Sequence, residues 1–188
     1  MAGKKIGVLA LQGAFAEHQA MLNRLGIENI QVRTAEELAE CSALIIPGGE
    51  STTIGKLMEK HALTASICRQ NLEGMPIWGT CAGMILLAKR IEGLQQFSLG
   101  LMDATVVRNA FGRQVDSFEA ELEIKNVGTG RGVFIRAPYL QEVGPKVEVL
   151  ATYQGKIVMV QEGNLLATAF HPELTEDTSI HAYFAAGI

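Results

Sequence analysis

The sequence has 188 residues, of which 48% are hydrophobic and 19% charged, so the chain can bury a core and is not expected to be disordered. Its net charge of −4, with no basic cluster, argues against a nucleic-acid-binding surface. The apolar run at residues 6–11 is too short for a membrane span or a secretion signal, and the three cysteines lack C-x-x-C spacing. We therefore expect a cytoplasmic protein whose partners are small molecules or proteins, with no nucleic acid and no membrane.

The first half of the chain alternates strand-like and helix-like segments. Buried strands are predicted at residues 5–11, 30–33 and 43–46 and in the apolar run before Cys81. Helices are predicted at residues 14–25, after the capping-box sequence at residues 34–37, and at residues 54–61 and 63–71. This alternation predicts a parallel sheet with helices on both faces, and ligands of such sheets bind beyond the carboxyl ends of the strands. Gln12, Gly48-Gly49 and Cys81 are predicted to lie at that edge.

The second half is rich in strand-like segments, several of them with alternating polarity. They lie at residues 101–108, 118–124, 133–137, 147–153, 156–161 and 165–170. Gln154-Gly155 and Gly163-Asn164 are hairpin-turn signals, and residues 177–186 are predicted to form a closing helix. Because no linker, repeat or low-complexity segment interrupts the chain, we expect one domain over residues 1–188. The predicted fold is α/β with three layers: a mostly parallel central sheet, helices on both faces, and a β-rich, partly antiparallel C-terminal half.

Residues 79–83, Gly-Thr-Cys-Ala-Gly, interrupt an apolar run that resumes with helical periodicity. The pattern predicts a strand, a tight turn and a helix. Gly79 and Gly83 leave room for a turn that lifts Cys81 above the sheet edge, as in the Gly-x-Ser-x-Gly nucleophile elbow. The helix N-terminus favours a thiolate there, so Cys81 is a candidate nucleophile and the Ala82 N–H a candidate oxyanion donor. The alternative is that Cys81 is a small buried core residue.

His171-Pro172-Glu173 follows the last predicted strand. Residues two apart on an extended chain project to the same side, so His171 and Glu173 are expected to act together. In this hypothesis Cys81 is the nucleophile, His171 is the general base and later the acid, and Glu173 orients the imidazole and stabilises its charged form.

The other histidines are His18, His61 and His181. They have no matched cysteine or carboxylate motif, and their spacing is not that of a zinc site. We interpret them as ordinary surface or partly buried residues and predict no metal site.

The Gly-Thr-Cys-Ala-Gly and His-Pro-Glu motifs together resemble those of the class I (triad) glutamine amidotransferases. Further stretches narrow the resemblance to the glutaminase subunits of pyridoxal phosphate synthase. These stretches are residues 7–13, 47–53, 108–119, 133–138 and 170–175. The resemblance spans nearly the whole chain, with the motifs in the family's order.

The resemblance implies hydrolysis of L-glutamine to L-glutamate and ammonia through a thioester, without a cofactor, and delivery of the ammonia to a synthase partner that builds pyridoxal phosphate. By position it makes Cys81, His171 and Glu173 catalytic. The implied glutamine contacts are Gly49, Glu50, Ser51, Arg108, Ile135 and Arg136. The Gly48-Gly49 peptide is implied to lie beside the oxyanion, with Ala82 as the other donor.

Regulation by the partner is a further expectation. A Gly-Gly peptide rotates at low cost between orientations that present N–H or C=O to the oxyanion. We expect a latent glutaminase, activated when the synthase docks near Gln12, Gly48-Gly49 and residues 109–117.

The sequence also has features of two other functions. Residues 49–56 are similar to a phosphate-binding loop, but five residues instead of four separate the glycines and Leu57 replaces the Ser or Thr that would hold magnesium. A nucleotide-binding module is therefore a weak alternative. A different thiol hydrolase on a similar sheet, such as a γ-glutamyl hydrolase or an esterase-like enzyme, is distinguished by its substrate.

Overall fold

The computed structural model describes residues 4–109 and 117–188. Its helices are α1 (Phe15–Arg24), α2 (Ala35–Ala39), α3 (Ser51–Lys60), α4 (Leu63–Leu72), α5 (Ala82–Leu87) and α6 (Ser179–Ala186), with a 3₁₀ turn at Pro172–Leu174. Its strands are β1 (Ile6–Leu9), β2 (Asn29–Val32), β3 (Ala43–Ile46), β4 (Ile77–Thr80), β5 (Ala88–Ile91), β6 (Met102–Val107), β7 (Ser117–Ile124), β8 (Gly128–Ile135), β9 (Tyr139–Val143), β10 (Glu148–Tyr153), β11 (Lys156–Glu162) and β12 (Leu165–Thr168). No helix in these described ranges is long and apolar enough to cross a membrane.

The central sheet has the strand order β2-β1-β3-β4-β12-β11-β9-β6-β5, with β10 paired to β11. The strands from β2 to β12 in this order are all parallel. Strands β1, β3, β4 and β12 are buried at every residue, as expected for parallel strands covered on both faces. From β12 to β6 the pairings are antiparallel, and β7 and β8 form a separate hairpin. The predicted mostly parallel sheet with a partly antiparallel C-terminal half is confirmed.

Helices cover both faces of this sheet. Trp78 and Gly79 are neighbours on β4, so their Cα–Cβ directions point to opposite faces. The Trp78 ring packs 5.4 Å from the ring of His18 on α1 and 5.6 Å from that of Phe184 on α6. On the other face, a Cβ on Gly79 would lie 2.4 Å from the carbonyl carbon of Gly83 on α5. The predicted three layers are therefore α1 with α6, the sheet, and α5 with the α3 that packs against it.

Local sequence signals account for several boundaries. Thr34 accepts a hydrogen bond from the Glu37 N–H, and the Glu37 side chain accepts one from the Thr34 N–H, which completes the predicted capping box of α2. Gln154 and Gly155 both have positive φ, 49° and 74°, which is the geometry of a type I′ turn joining β10 to β11.

Three strand features differ from the prediction. Strands β5 and β9 were not predicted, because their exposed charged and amide residues break the apolar pattern. Strand β8 begins at Gly128, before the predicted residue 133, because its first residues are rich in glycine, which has low intrinsic strand preference. Pairing with β7 over its full length holds this segment in the extended conformation.

Candidate active site

The candidate site is a cleft of 470 Å³ beyond the carboxyl ends of β1, β3, β4 and β12. The predicted site residues on its wall are Gln12, Gly48, Gly49, Glu50, Ser51, Cys81, Ala82, Arg108, Ile135, Arg136 and His171. Glu173 does not line the cleft and is buried behind His171. Of the predicted partner-docking segment, residues 110–116 lie outside the described residues.

Cys81 occupies the sharp turn between β4 and α5, which confirms the predicted elbow. Its φ of 49° and ψ of −100° are unfavourable for a residue with a Cβ. Its N–H donates to the Thr168 carbonyl oxygen at 2.8 Å, which ties the turn to β12. A Cβ on Gly83 would lie 2.2 Å from the Ile46 carbonyl oxygen, so only glycine permits this approach of α5 to β3. The turn places the Cys81 thiol, 8% exposed, at the cleft floor.

His171 and Glu173 form a buried pair, with Nδ1 of His171 2.6 Å from Oε1 of Glu173. The predicted reason for this contact was wrong, because the residues do not share an extended strand. His171 caps the 3₁₀ turn at Pro172–Leu174, and the turn carries Glu173 back to the imidazole. Two backbone hydrogen bonds to Val133 on β8 fix His171, at 2.7 and 3.2 Å.

The environment of this pair favours its charged forms. Burial lowers the pKa of His171, but hydrogen bonds to Cys81 and Glu173 outweigh burial and raise that pKa to about 10. Burial raises the pKa of Glu173, but His18 and the hydrogen bond to His171 more than compensate, so the pKa is lowered overall. The site therefore stabilises a histidinium between a thiol group and a carboxylate.

Two of the three remaining histidines lie behind this pair, and their interpretation as surface or partly buried residues is wrong. His18 and His181 are both fully buried. His18 Nδ1 lies 2.9 Å from His181 Nε2, and His18 Nε2 lies 3.1 Å from the Thr80 hydroxyl and 3.5 Å from Oε2 of Glu173. Burial lowers the pKa of both imidazoles, that of His181 to about 2. In the sequence, the only sign was that His18 shares the apolar face of α1.

The Gly48-Gly49 loop packs against the turn that follows β1. The Gly48 carbonyl oxygen accepts a hydrogen bond from the Ala14 N–H at 2.9 Å, and Gln12 Oε1 accepts one from the Glu50 N–H at 2.8 Å. A Cβ on Gly48 would lie 2.2 Å from Cε1 of His171. This position therefore requires glycine for the imidazole to occupy its place.

Charged residues also line the cleft. Glu50 caps α3, and hydrogen bonds from Thr52 and Thr53 lower its pKa to about 2 against the opposing effect of burial. Arg108 lies 3.6 Å from Glu50. Arg136 is exposed, and among the described residues it makes no ion pair.

Gln96 was not predicted, because no motif surrounds it. It accepts a hydrogen bond from Arg108 and donates one to Ser51, both at 2.8 Å, and so connects two predicted glutamine contacts. Within the described ranges, no three His, Cys, Asp or Glu side chains are grouped as a metal site requires.

The similarity of residues 49–56 to a phosphate-binding loop does not extend to their conformation. Helix α3 begins at Ser51, and Gly55 lies inside it, where a Cβ would approach the Phe97 ring to 2.7 Å. A phosphate-binding loop keeps its glycines in a continuous loop before the helix. This geometry argues against the nucleotide-binding alternative.

Comparison with known proteins identifies relatives that match nearly the whole chain. Residues 8–188 match the model of the SNO glutamine amidotransferase family. A pyridoxal 5'-phosphate synthase subunit PdxT from Carboxydothermus hydrogenoformans is 57% identical over 182 residues, which cover 96% of this chain and 95% of that protein. The PdxT from Pelotomaculum thermopropionicum is 59% identical over 182 residues, with 96% and 93% covered.

Solved structures also match the chain over nearly its whole length. One described as the crystal structure of glutamine amidotransferase has a TM-score of 0.94 and 52% sequence identity, covering 97% of each chain. The structure of PurLQS from Thermotoga maritima has a TM-score of 0.74 at 16% identity, covering 99% of each chain, and shows a shared fold.

Proposed function

Because the chain belongs to the SNO glutamine amidotransferase family, it is a glutaminase, and we propose that Cys81, His171 and Glu173 hydrolyse its glutamine. The observation that carries this proposal is the connected arrangement of these three side chains, with Cys81 and His171 lining the cleft and Glu173 buried behind His171. Residues 1–188 act as a single glutamine amidotransferase domain, a boundary supported by the family match from residue 8 to residue 188.

In the first half of the reaction, the Cys81 thiolate attacks the side-chain amide carbon of glutamine. Negative charge develops on the amide oxygen, where the N–H groups of Gly49 and Ala82 stabilise it, each by about 3 kcal/mol in comparable sites. The C–N bond breaks as His171 gives its Nε2 proton to the departing nitrogen, which leaves as ammonia. The product is a thioester between Cys81 and the glutamyl group.

In the second half, neutral His171 accepts a proton from water, and the resulting hydroxide attacks the thioester. Glutamate leaves and the Cys81 thiolate is restored. The change of role has an electrostatic basis: thiolate charge on Cys81 raises the pKa of His171, and acylation removes that charge. Glu173 keeps Nδ1 protonated throughout, so that Nε2 faces the reacting atoms.

The charges of the cleft suggest how the amino-acid end of glutamine is held. Glu50 is ionised and half exposed, which suits the α-ammonium group. Arg136 is free to take the α-carboxylate, whereas Arg108 is engaged by Glu50 and Gln96 and holds Glu50 in place. Ser51 and Ile135 line the same cleft as these charges and Cys81.

The ammonia passes to a synthase subunit that makes pyridoxal phosphate, as the names of the relatives indicate for those proteins. We place the reaction in the cytoplasm, since the three cysteines are free thiols, and without a nucleic-acid partner, since the net charge is −4.

The synthase docks near Gln12, Gly48-Gly49 and residues 109–117, and it activates the glutaminase by rotating the Gly48-Gly49 peptide. In the free chain the Ala14 N–H holds the Gly48 carbonyl, a hydrogen bond worth about 1 kcal/mol net. A change from mostly inactive to mostly active requires about 5 kcal/mol of differential binding.

Labelling with a glutamine-analogue diazoketone tests the proposed nucleophile. The label should attach to Cys81, and Cys81→Ala should abolish glutaminase activity while Cys68→Ala retains it. Burial raises the pKa of Cys41 to about 11 and also raises that of Cys68, so these thiols stay protonated and unreactive. Label on either of them would contradict the assignment. Preference for γ-glutamyl peptides or esters over glutamine would instead favour the alternative thiol hydrolase.

A further inference from the structure

The two carboxylate oxygens of Glu173 have different surroundings. Oε1 accepts the hydrogen bond from His171. Oε2 is buried and has no hydrogen-bond partner among the described residues, but Nε2 of His18 lies 3.5 Å from it. A buried carboxylate oxygen without a partner is costly, so the polarity of the facing imidazole nitrogen matters for Glu173.

The contacts of His18 and His181 assign their protons. If His18 Nδ1 donated to His181 Nε2, the Nδ1–H of His181 would be a buried donor without a partner, and a His18 lone pair would face the carboxylate. The opposite assignment places an N–H towards the carboxylate and leaves an unpaired lone pair, in place of an unpaired N–H, at His181 Nδ1. His181 Nε2–H donates to His18 Nδ1, and His18 Nε2–H faces Glu173 and the Thr80 hydroxyl.

We propose that His18, oriented by His181, is a positioning residue of the triad whose Nε2–H holds Oε2 of Glu173 and leaves Oε1 to His171. The proposal rests on the proposed catalytic role of Glu173. The same imidazole contacts Thr80, the residue before the nucleophile, and so links the strand that carries Cys81 to the carboxylate that orients the base. The Trp78 ring packs against both imidazoles, 5.4 Å from that of His18 and 4.8 Å from that of His181, which restricts their movement.

Two matched variants distinguish a positioning role of His18 from a general contribution of its side chain to packing. The amide nitrogen of Gln reaches the place of an imidazole Nε2, whereas that of Asn reaches the place of Nδ1. In the full chain with its synthase subunit, His18→Asn should lower kcat about tenfold, because the Glu173 carboxylate loses the N–H that faces Oε2. His18→Gln should recover most of that loss. KM should stay unchanged in both, because His18 does not line the cleft.

A spectroscopic readout and a control accompany the kinetics. The NMR resonance of the His171 Nδ1 proton should shift in His18→Asn and return towards its original position in His18→Gln. His61→Gln, at an exposed histidine, should match the original protein.

The other possible outcomes contradict the proposal or require the same comparison at His181. Unchanged kcat in both His18 variants, equal kcat losses in the two, or a rise in KM alone would overturn the proposal. If a His18 variant fails to fold, the same comparison is made at His181, where Gln keeps the donor to His18 and Asn loses it. Glutaminase activity that survives Cys81→Ala would instead show that the proposed function has failed.

Discussion

Oε1 of Glu173 lies 2.6 Å from Nδ1 of His171, and a single residue separates the two in the chain. The 3₁₀ turn at Pro172–Leu174 makes this contact possible, and Pro172 restricts the backbone within it. His171 therefore receives both its orientation and its charge partner from its own turn. The two residues are expected to behave as one unit.

Replacing both His171 and Glu173 tests whether they act as one unit. His171→Ala should remove most of the glutaminase activity, and adding Glu173→Ala should cost little more, because Glu173 acts only through the imidazole. The measurement is kcat/KM of the two single variants and the double variant. Additive losses in log kcat/KM would show that Glu173 has an independent role.

Gly48→Ala should inactivate the enzyme on the order of 100-fold, because the added methyl group would displace the His171 imidazole. Steady-state kinetics with the synthase present would measure the loss. Gly187→Ala is the matched control, since its Cβ would meet no atom closer than 3.4 Å. Full activity in Gly48→Ala would mean that His171 tolerates another position.

Backbone strain at Cys81 predicts an unusual order of stability. Glycine adopts φ 49° and ψ −100° more easily than alanine does, so Cys81→Gly should unfold with a free energy about 1 kcal/mol higher than Cys81→Ala. Urea denaturation of the two inactive variants checks this difference. A more stable Cys81→Ala would show that the turn is not strained.

The two buried histidines predict sensitivity to acid. The pKa of His181 is about 2 in the folded chain and about 6.5 when unfolded, so below pH 6.5 the unfolded chain binds a proton that the folded chain does not. Stability is therefore lost as the pH falls. Between pH 7 and pH 5 the original protein should lose about 2 kcal/mol more unfolding free energy than His181→Gln.

Urea titrations at the two pH values measure this difference, with His61→Gln as the control at an exposed histidine. An equal loss in the original protein and His181→Gln would mean that His181 is protonated in the folded chain.

The proposed latency of the free glutaminase can be tested at Ala14. The φ of Ala14 is −84°, which is close to that of proline. Ala14→Pro removes the N–H that holds the Gly48 carbonyl, so glutaminase activity without the synthase should rise. Ala14→Ser keeps the N–H and should match the original protein. The assay compares hydrolysis at saturating glutamine with and without the synthase. Equal rates of the original protein in the two samples would contradict latency, and lower activity of Ala14→Pro would show that the present peptide orientation is the catalytic one.

The sequence by itself determined most elements of the first half and the positions of the cleft residues. Burial of four short parallel strands depends on local apolar runs, and the loops after those strands reach one edge of the sheet. For this reason Gln12, Gly48 and Cys81, which are far apart in the chain, were predicted to lie together. The elbow was also readable from the two glycines that flank Cys81, although the close approach that requires Gly83, to Ile46 on β3, is a tertiary contact.

Only the tertiary structure decided the surroundings of the triad. His18 and His181 are 163 positions apart, so no local pattern could place their imidazoles in contact, and only the apolar face of α1 indicated that His18 is buried. Strand β9 likewise forms only because it pairs with β6 and β11. The position of Gln96 is set by its hydrogen bonds to Arg108 and Ser51. Desolvation and hydrogen bonding are properties of the packed environment, so the raised pKa of His171 and the lowered pKa of His181 arise when the helices close over the sheet.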